Sequence, residues 1–231
     1  SIVSPTRHRR VWSRDTSGGS LAAMLTSLLS LIVPPACVAC RRPPAPGDIL
    51  CRDCIRTIPW LRGERCPRCG LPGVCADRCP AAGQAFDRAW APVAYAGPAR
   101  DLVLALKERG ALVVAALMAS QIAENASPGL LADGVVVPVP SDPLRRRLRG
   151  LDHAGRLAGE LASRVGLPAK LALRRAIGPR QAGASRAERL EERAPRIVAR
   201  TPSPPTVVLV DDVHTTGATL DACARALRAA G

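Results

Sequence analysis

Apolar and polar positions follow one rhythm before residue 80 and another after residue 88. Residues 21–33 are apolar almost throughout, which predicts a short helix, and residues 37–80 then show no regular apolar repeat and are rich in Pro and Arg. From residue 88 strand-like and helix-like segments alternate. Residues 88–95 are expected as a strand, and residues 100–125 as one or two helices broken near Gly110. Residues 135–139 are expected as a buried strand, leading into a loop over 140–149. Residues 153–165 carry the apolar spacing of an amphipathic helix. Residues 171–177 and 196–200 are expected strands on either side of a loop over 178–193, and 201–205 a turn. Val207 to Val210 is a continuous β-branched and aliphatic run, as befits a strand buried on both faces of a parallel sheet. Residues 220–230 then read as a helix. The pattern predicts an α/β domain over 88–231, preceded by a small module over 21–80 and a disordered basic arm over 1–20.

The densest chemistry lies where that last strand stops. Val207-Val208-Leu209-Val210 runs into Asp211-Asp212-Val213-His214 and then Thr215-Thr216-Gly217-Ala218-Thr219. In parallel sheets ligands gather beyond the carboxyl ends of the strands, and two adjacent carboxylates there repel unless Mg2+ or sugar hydroxyls lie against them. Thr215 to Thr219 offer hydroxyls and, at a helix N-terminus, backbone N–H groups to an anion. Gly217 admits a close approach. Carboxylates for a ribose and amides for its phosphate suit a ribose 5-phosphate group; the plainer reading is an acidic strand end before a Thr-capped helix.

Eight of the nine cysteines fall in the Pro- and Arg-rich stretch, as Cys37-x-x-Cys40, Cys51-x-x-Cys54, Cys66-x-x-Cys69 and Cys75-x-x-x-Cys79. Such pairs form knuckles that present two thiolates to a tetrahedral metal, and two sets of four suggest two Zn2+ ions. The simplest partition is sequential, Cys37, Cys40, Cys51 and Cys54 at one ion and Cys66, Cys69, Cys75 and Cys79 at the other. An interleaved partition and a disulfide framework satisfy the same count. Cys223 stands apart and reads as a small buried side chain.

The Asp-Asp-x-x-Thr-Thr-Gly-x-Thr segment resembles the 5-phosphoribosyl 1-diphosphate (PRPP) signature of type I phosphoribosyltransferases. Together with the cysteines it resembles the ComF competence family, which joins a double zinc ribbon to a phosphoribosyltransferase-like domain. The likeness extends to Leu28-Leu29-x-Leu31-x-x-Pro34-Pro35-x-Cys37, Tyr95-x-Gly97-x-x-Arg100, Leu106-Lys107, Val137-Pro138-Val139-Pro140, and Ser185-Arg186-x-Glu188-Arg189. It implies a type I phosphoribosyltransferase-like parallel sheet flanked by helices. Asp211 and Asp212 would hold the ribose hydroxyls directly or through Mg2+, and Thr215, Thr216, Gly217, Ala218 and Thr219 the 5-phosphate. Pro140, Ser141, Arg145 and Arg149 would form a pyrophosphate loop, Arg186 and Arg189 a catalytic hood, and Lys107 a further diphosphate contact. Implied partners are PRPP, single-stranded DNA and a competence helicase in a cytoplasmic protein; the implied activity is Mg2+-dependent phosphoribosyl transfer, with a non-catalytic role in DNA uptake as the alternative. The chain departs from the family pattern at Asp152, His153, Glu192 and His214. Thr215 stands where purine-salvage enzymes carry an acidic base, so nothing in the loop marks a 6-oxopurine acceptor. The family implies a further strand beyond Gly231.

Composition refines this in three ways. With three Trp, one Tyr and one Phe in 231 residues, the core must be built from Ala, Leu and Val, and few aromatics remain to stack on single-stranded bases. The formal charge of +14 falls to about +10 once eight thiolates and two Zn2+ ions are counted, which still favours anionic ligands. The apolar stretch at 21–33 follows a basic segment as a signal peptide would, yet it is too short to span a bilayer and continues directly into the first CxxC.

Overall fold

A computed structural model of the chain describes residues 35–75, 78–127, 129–142, 152–176, 196–200 and 202–231. The basic arm over 1–20, the helix expected at 21–33 and the loop at 178–193 lie outside the described residues, as do Arg145, Arg149, Arg186 and Arg189. Packing divides the chain along lines that differ from sequence order. One compact unit comprises the described residues up to Trp60 with 93–117, the other 61–92 with 118–231.

The first unit contains helix α1 (Arg52–Arg56), helix α2 (Gly97–Arg109) and the opening of helix α3 (Leu112–Asn125). Pro98 in the first turn of α2 presets φ and gives up an N–H that has no intrahelical partner there. The helix ends at Gly110, as the sequence led us to expect, and its N–H returns to Ala105 O. Leu102, Val103, Ala105 and Leu106 of α2 are buried, as are Val114, Ala115 and Leu117 of α3. The strand expected at 88–95 does not form. A single antiparallel bridge, Trp60 to Val93, is made instead, because Pro92 lacks an N–H to extend a ladder.

In the second unit, strand β1 (Val135–Pro138) pairs in parallel with strand β4 (Val207–Val210), Val135 opposite Val207 and Pro138 opposite Val210. The other edge of β1 is occupied by residues 168–170, with Val136 N–H donating to Pro168 O and Lys170 N–H to Val136 O. Strands β2 (Leu173–Arg175) and β3 (Ile197–Ala199) form an antiparallel pair. Alternate residues serve opposite faces, as the two-residue period of a strand demands. Val136, Val208 and Val210 pack with Leu157, Ala158 and Leu161 of helix α4 (His153–Val165) and with Ala119 of α3. Val137, Val207 and Leu209 pack with Cys223 and Leu227 of helix α5 (Ala218–Arg228). The unit is a mixed α/β structure around a small parallel sheet with helices on both faces. Each fully buried Leu contributes about 2 kcal/mol of transfer free energy to it.

α4 spans the expected residues and is capped by Asp152, whose carboxylate accepts from Gly155 N–H. α5 begins two residues earlier than the apolar pattern suggests. Gly217, with φ of 80°, turns the chain into the helix directly after Thr216, so Ala218 and Thr219 belong to its first turn rather than to a loop.

Candidate zinc centres and anion cradle

The cysteines assemble into two sets of four, Cys37, Cys40, Cys51 and Cys54, and Cys66, Cys69, Cys75 and Cys79, with the sulfurs of each set within 4.8 Å of one another. Cys40 and Cys51 Sγ are 3.5 Å apart, Cys69 and Cys75 3.6 Å, and Cys66 and Cys79 3.8 Å. Four thiolates about 2.3 Å from a tetrahedral Zn2+ lie about 3.8 Å from each other, whereas bonded sulfurs lie about 2.05 Å apart. All nine cysteines are free thiols. The sequential partition is the one formed, and four sulfurs with no open position make each a closed, structural zinc site.

Local backbone explains why the knuckles close. In the first, Cys37 N–H donates to Arg42 O at 2.8 Å and Arg41 N–H to Cys37 O at 2.9 Å; in the second, Cys66 N–H donates to Leu71 O at 3.0 Å and Gly70 N–H to Cys66 O at 2.9 Å. Both turns need a left-handed residue directly after the second cysteine, Arg41 (φ 68°) in one and Gly70 (φ 72°) in the other. Backbone N–H groups also aim at sulfur. The Arg42 N–H lowers the Cys40 thiol to about 6, and those of Cys69 and Arg68 lower Cys66 to about 6, so one thiol of each set ionises readily to receive the metal.

The candidate anion cradle lies at the carboxyl edge of the parallel pair. β4 ends at Val210, and the half-buried Asp211 follows, its Oδ1 accepting from Asp212 N–H at 2.8 Å. Thr216 Oγ1 faces Ala218 N–H at 3.4 Å. Gly217 supplies no side chain to cap the first turn of α5, and N–H groups in such a turn have no intrahelical partner. Because Pro138 is paired with Val210, Pro140 and Ser141 leave the same edge as Asp211 and Asp212. Ser141 Oγ donates to Asp152 Oδ1 at 2.8 Å, and Arg175 Nε to Pro140 O at 2.9 Å. Lys107 lies on α2 in the other compact unit. Cys223, buried beneath the sheet, is pushed up to about 12 by burial and then by the Asp211 charge, so it is an inert packing thiol, as its isolation in the sequence suggested.

Three residues that pattern reasoning missed shape this edge. Arg175 reaches Pro140 from β2 and lies 3.9 Å from Asp142. Gln84 donates to Thr216 O at 2.8 Å. Asp221 accepts from Ala85 N–H at 2.5 Å and from Arg225 at 2.9 Å; burial opposes its charge, but these two donors hold the carboxyl below its usual range. His214 meets Phe86 edge to face, ring centroids 6.3 Å apart, and burial lowers its pKa.

Two closed four-cysteine sites held by paired knuckles are the arrangement of a zinc ribbon domain. Residues 28–87 match the family model of a double zinc ribbon domain, so the chain carries that domain with two structural zinc sites. No curated protein and no solved structure matches the chain. No helix among the described residues is long and apolar enough to cross a membrane.

Proposed function

We propose that the second unit is the body of a ComF-type, type I phosphoribosyltransferase-like domain, and that it binds PRPP with Mg2+ and transfers its phosphoribosyl group. The observation that carries this reading is the pairing of β1 with β4, which brings residues 140–142 to the edge where Asp211, Asp212 and the start of α5 emerge. Asp211 and Asp212 are hard oxygen donors suited to Mg2+ or ribose hydroxyls, and the α5 N-terminus suits the 5-phosphate. Displacing pyrophosphate from C1 of the ribose builds positive charge on the sugar and negative charge on the leaving group. The carboxylates at the sugar stabilise the first, and Mg2+, when bound, neutralises the second. N–H groups near Pro140 and Ser141 supply donors to the diphosphate, and Arg145, Arg149, Arg186 and Arg189 are its proposed cationic contacts. The linear division into a zinc module over 21–80 and a transferase-like domain over 88–231, cytoplasmic and working beside single-stranded DNA or a helicase in DNA uptake, belongs to the same proposal.

Calorimetric titration of the zinc-loaded chain with PRPP and Mg2+ tests it. Binding by the native chain and its loss in Asp211→Ala/Asp212→Ala support the ligand site, and titration without heat overturns it. Pyrophosphate release on adding candidate acceptors then separates a transferase from a ligand sensor.

A further inference from the structure

The second zinc site and the candidate anion loop are linked by an unbroken chain of contacts within one unit. Arg68 lies inside the Cys66-x-x-Cys69 knuckle, and its Nε donates to Ala81 O at 2.9 Å and its Nη2 to Gln84 O at 2.6 Å. Gln84 Nε2 donates onward to Thr216 O at 2.8 Å. In a planar trans peptide the C=O and the following N–H point in opposite directions. Holding the Thr216 carbonyl toward Gln84 therefore aims the Gly217 N–H away from Gln84. The carboxamide also fills the space where a Cβ on residue 217 would stand. Further contacts hold α5 against the same segment, Ala85 N–H to Asp221 in its first turn, and Arg225 Nη2 to Gly83 O at 3.0 Å and Arg228 Nε to Ala85 O at 2.8 Å in its last. Cys66, Cys69, Phe86 and Ala224 share one buried cluster with Leu209 and Leu220 packed against it.

We propose that metal loading of the second zinc site sets the anion affinity of the 215–219 loop, with Gln84 the positioning residue that transmits it. The proposal rests on the reading of that loop as a phosphate cradle. A knuckle has two discrete states, ordered with zinc and unfolded without it. Emptying the second site releases Arg68 and residues 80–85, and the Thr216 peptide loses the contact that orients it. Linkage makes the effect reciprocal, so a bound phosphate ligand retains zinc.

The decisive variant is Gln84→Met, which keeps all eight thiolates and most of the side-chain volume but removes the donor. With zinc content unchanged, it is expected to bind PRPP and Mg2+ about fivefold or more weakly than the native chain. PRPP should slow chelator-driven zinc release in the native chain and in Cys37→Ser, which retains only the second site. The slowing should vanish in Gln84→Met, an outcome that a merely structural glutamine would not give. Native affinity in Gln84→Met, or zinc release indifferent to PRPP in a chain that binds it, overturns the coupling. If the native chain binds no PRPP, the proposed function fails, and the coupling is read instead from amide hydrogen exchange at residues 215–220. Faster exchange in Gln84→Met and in Cys75→Ser, but not in Cys37→Ser, upholds it; equal exchange in all four proteins overturns it.

Discussion

The two zinc sites are one device built twice in different surroundings. Their knuckle hydrogen bonds agree residue for residue at a spacing that maps Cys37 onto Cys66 and Arg42 onto Leu71. What each site organises is different. The first draws Cys51 and Cys54 from the start of α1 and sits in the unit where Arg109 of α2 donates to Val38 O at 2.6 Å. The second takes Cys75 and Cys79 from a loop and packs with Phe86, Leu209 and Leu220, beside the carboxyl end of β4 and the start of α5. The metal supplies the same local order in both. The neighbours decide whether that order props up a helix pair or a candidate ligand loop.

The strongest way to break the comparison is to remove zinc. Apparent binding free energies of structural Zn2+ are about 10–16 kcal/mol, far above the stability of any packing the small knuckles make alone. A chelator is therefore expected to unfold both, seen as loss of amide protection over 37–54 and 66–79. Cys37→Ser and Cys66→Ser should each bind one zinc instead of two, measured by chromogenic metal release. Only Cys66→Ser should also expose the amides of α5. Equal exposure of α5 in both variants would show that the sites do not differ in what they support.

Next in size is Gly70→Ala. Position 70 is left-handed, and a Cβ there would meet the Ala89 carbonyl oxygen, with Ala89 C and Trp90 Cα at 3.1 Å. The left-handed conformation alone costs an L-residue about 1–2 kcal/mol, and the backbone contact adds to it. A loss of at least about 2 kcal/mol in denaturant unfolding is expected from that strain and contact together, with weakened zinc retention at the second site only.

A smaller effect separates the regions by pH. Burial lowers the pKa of His214, so the unfolded chain binds this proton before the folded one does. Above the unfolded value, about 6.5, both states are neutral and His214 adds no pH dependence. As pH falls through about 6.5 toward the folded value, stability is lost. His214→Phe should flatten the slope of stability between about pH 7 and 5 while leaving amide protection near the first site unchanged.

Elements with a strong local signal were legible in the sequence. α4 has an acidic cap and a regular apolar stripe, and β1 and β4 are short continuous runs of aliphatic residues, so each formed where its pattern placed it. The knuckles were legible because each is a local structure, whereas spacing left an interleaved partition open and the fold formed the sequential one. The strand expected at 88–95 was lost to Pro92 and to the hydrogen bond that Ala89 N–H makes with Arg68 O at 2.8 Å, a partner too distant in sequence for any local window to reveal. Gln84, Arg68 and Arg175 were missed for the same reason. Their roles depend on carbonyls distant in sequence, and an Arg or Gln in a loop carries no periodic or motif signal. The split of the two zinc sites between units was equally hidden, because the gap between Cys54 and Cys66 at the division is close to that between Cys40 and Cys51 inside the first site.

The finest test of the comparison is the left-handed position itself. Where the second knuckle has Gly70, the first has Arg41, the one non-glycine residue with positive φ among the described residues. Its side chain is exposed. Arg41→Gly relieves about 1–2 kcal/mol of left-handed strain but gives the unfolded chain more conformational freedom, which costs about 0.5–1 kcal/mol. The balance is a gain of a few tenths to about 1 kcal/mol, read as slower chelator-driven zinc loss from the first site. Arg41→Ala keeps the strain and should show no gain. If both substitutions weaken the site equally, the guanidinium rather than the backbone decides what residue 41 does there, and the two knuckles differ in chemistry as well as in surroundings.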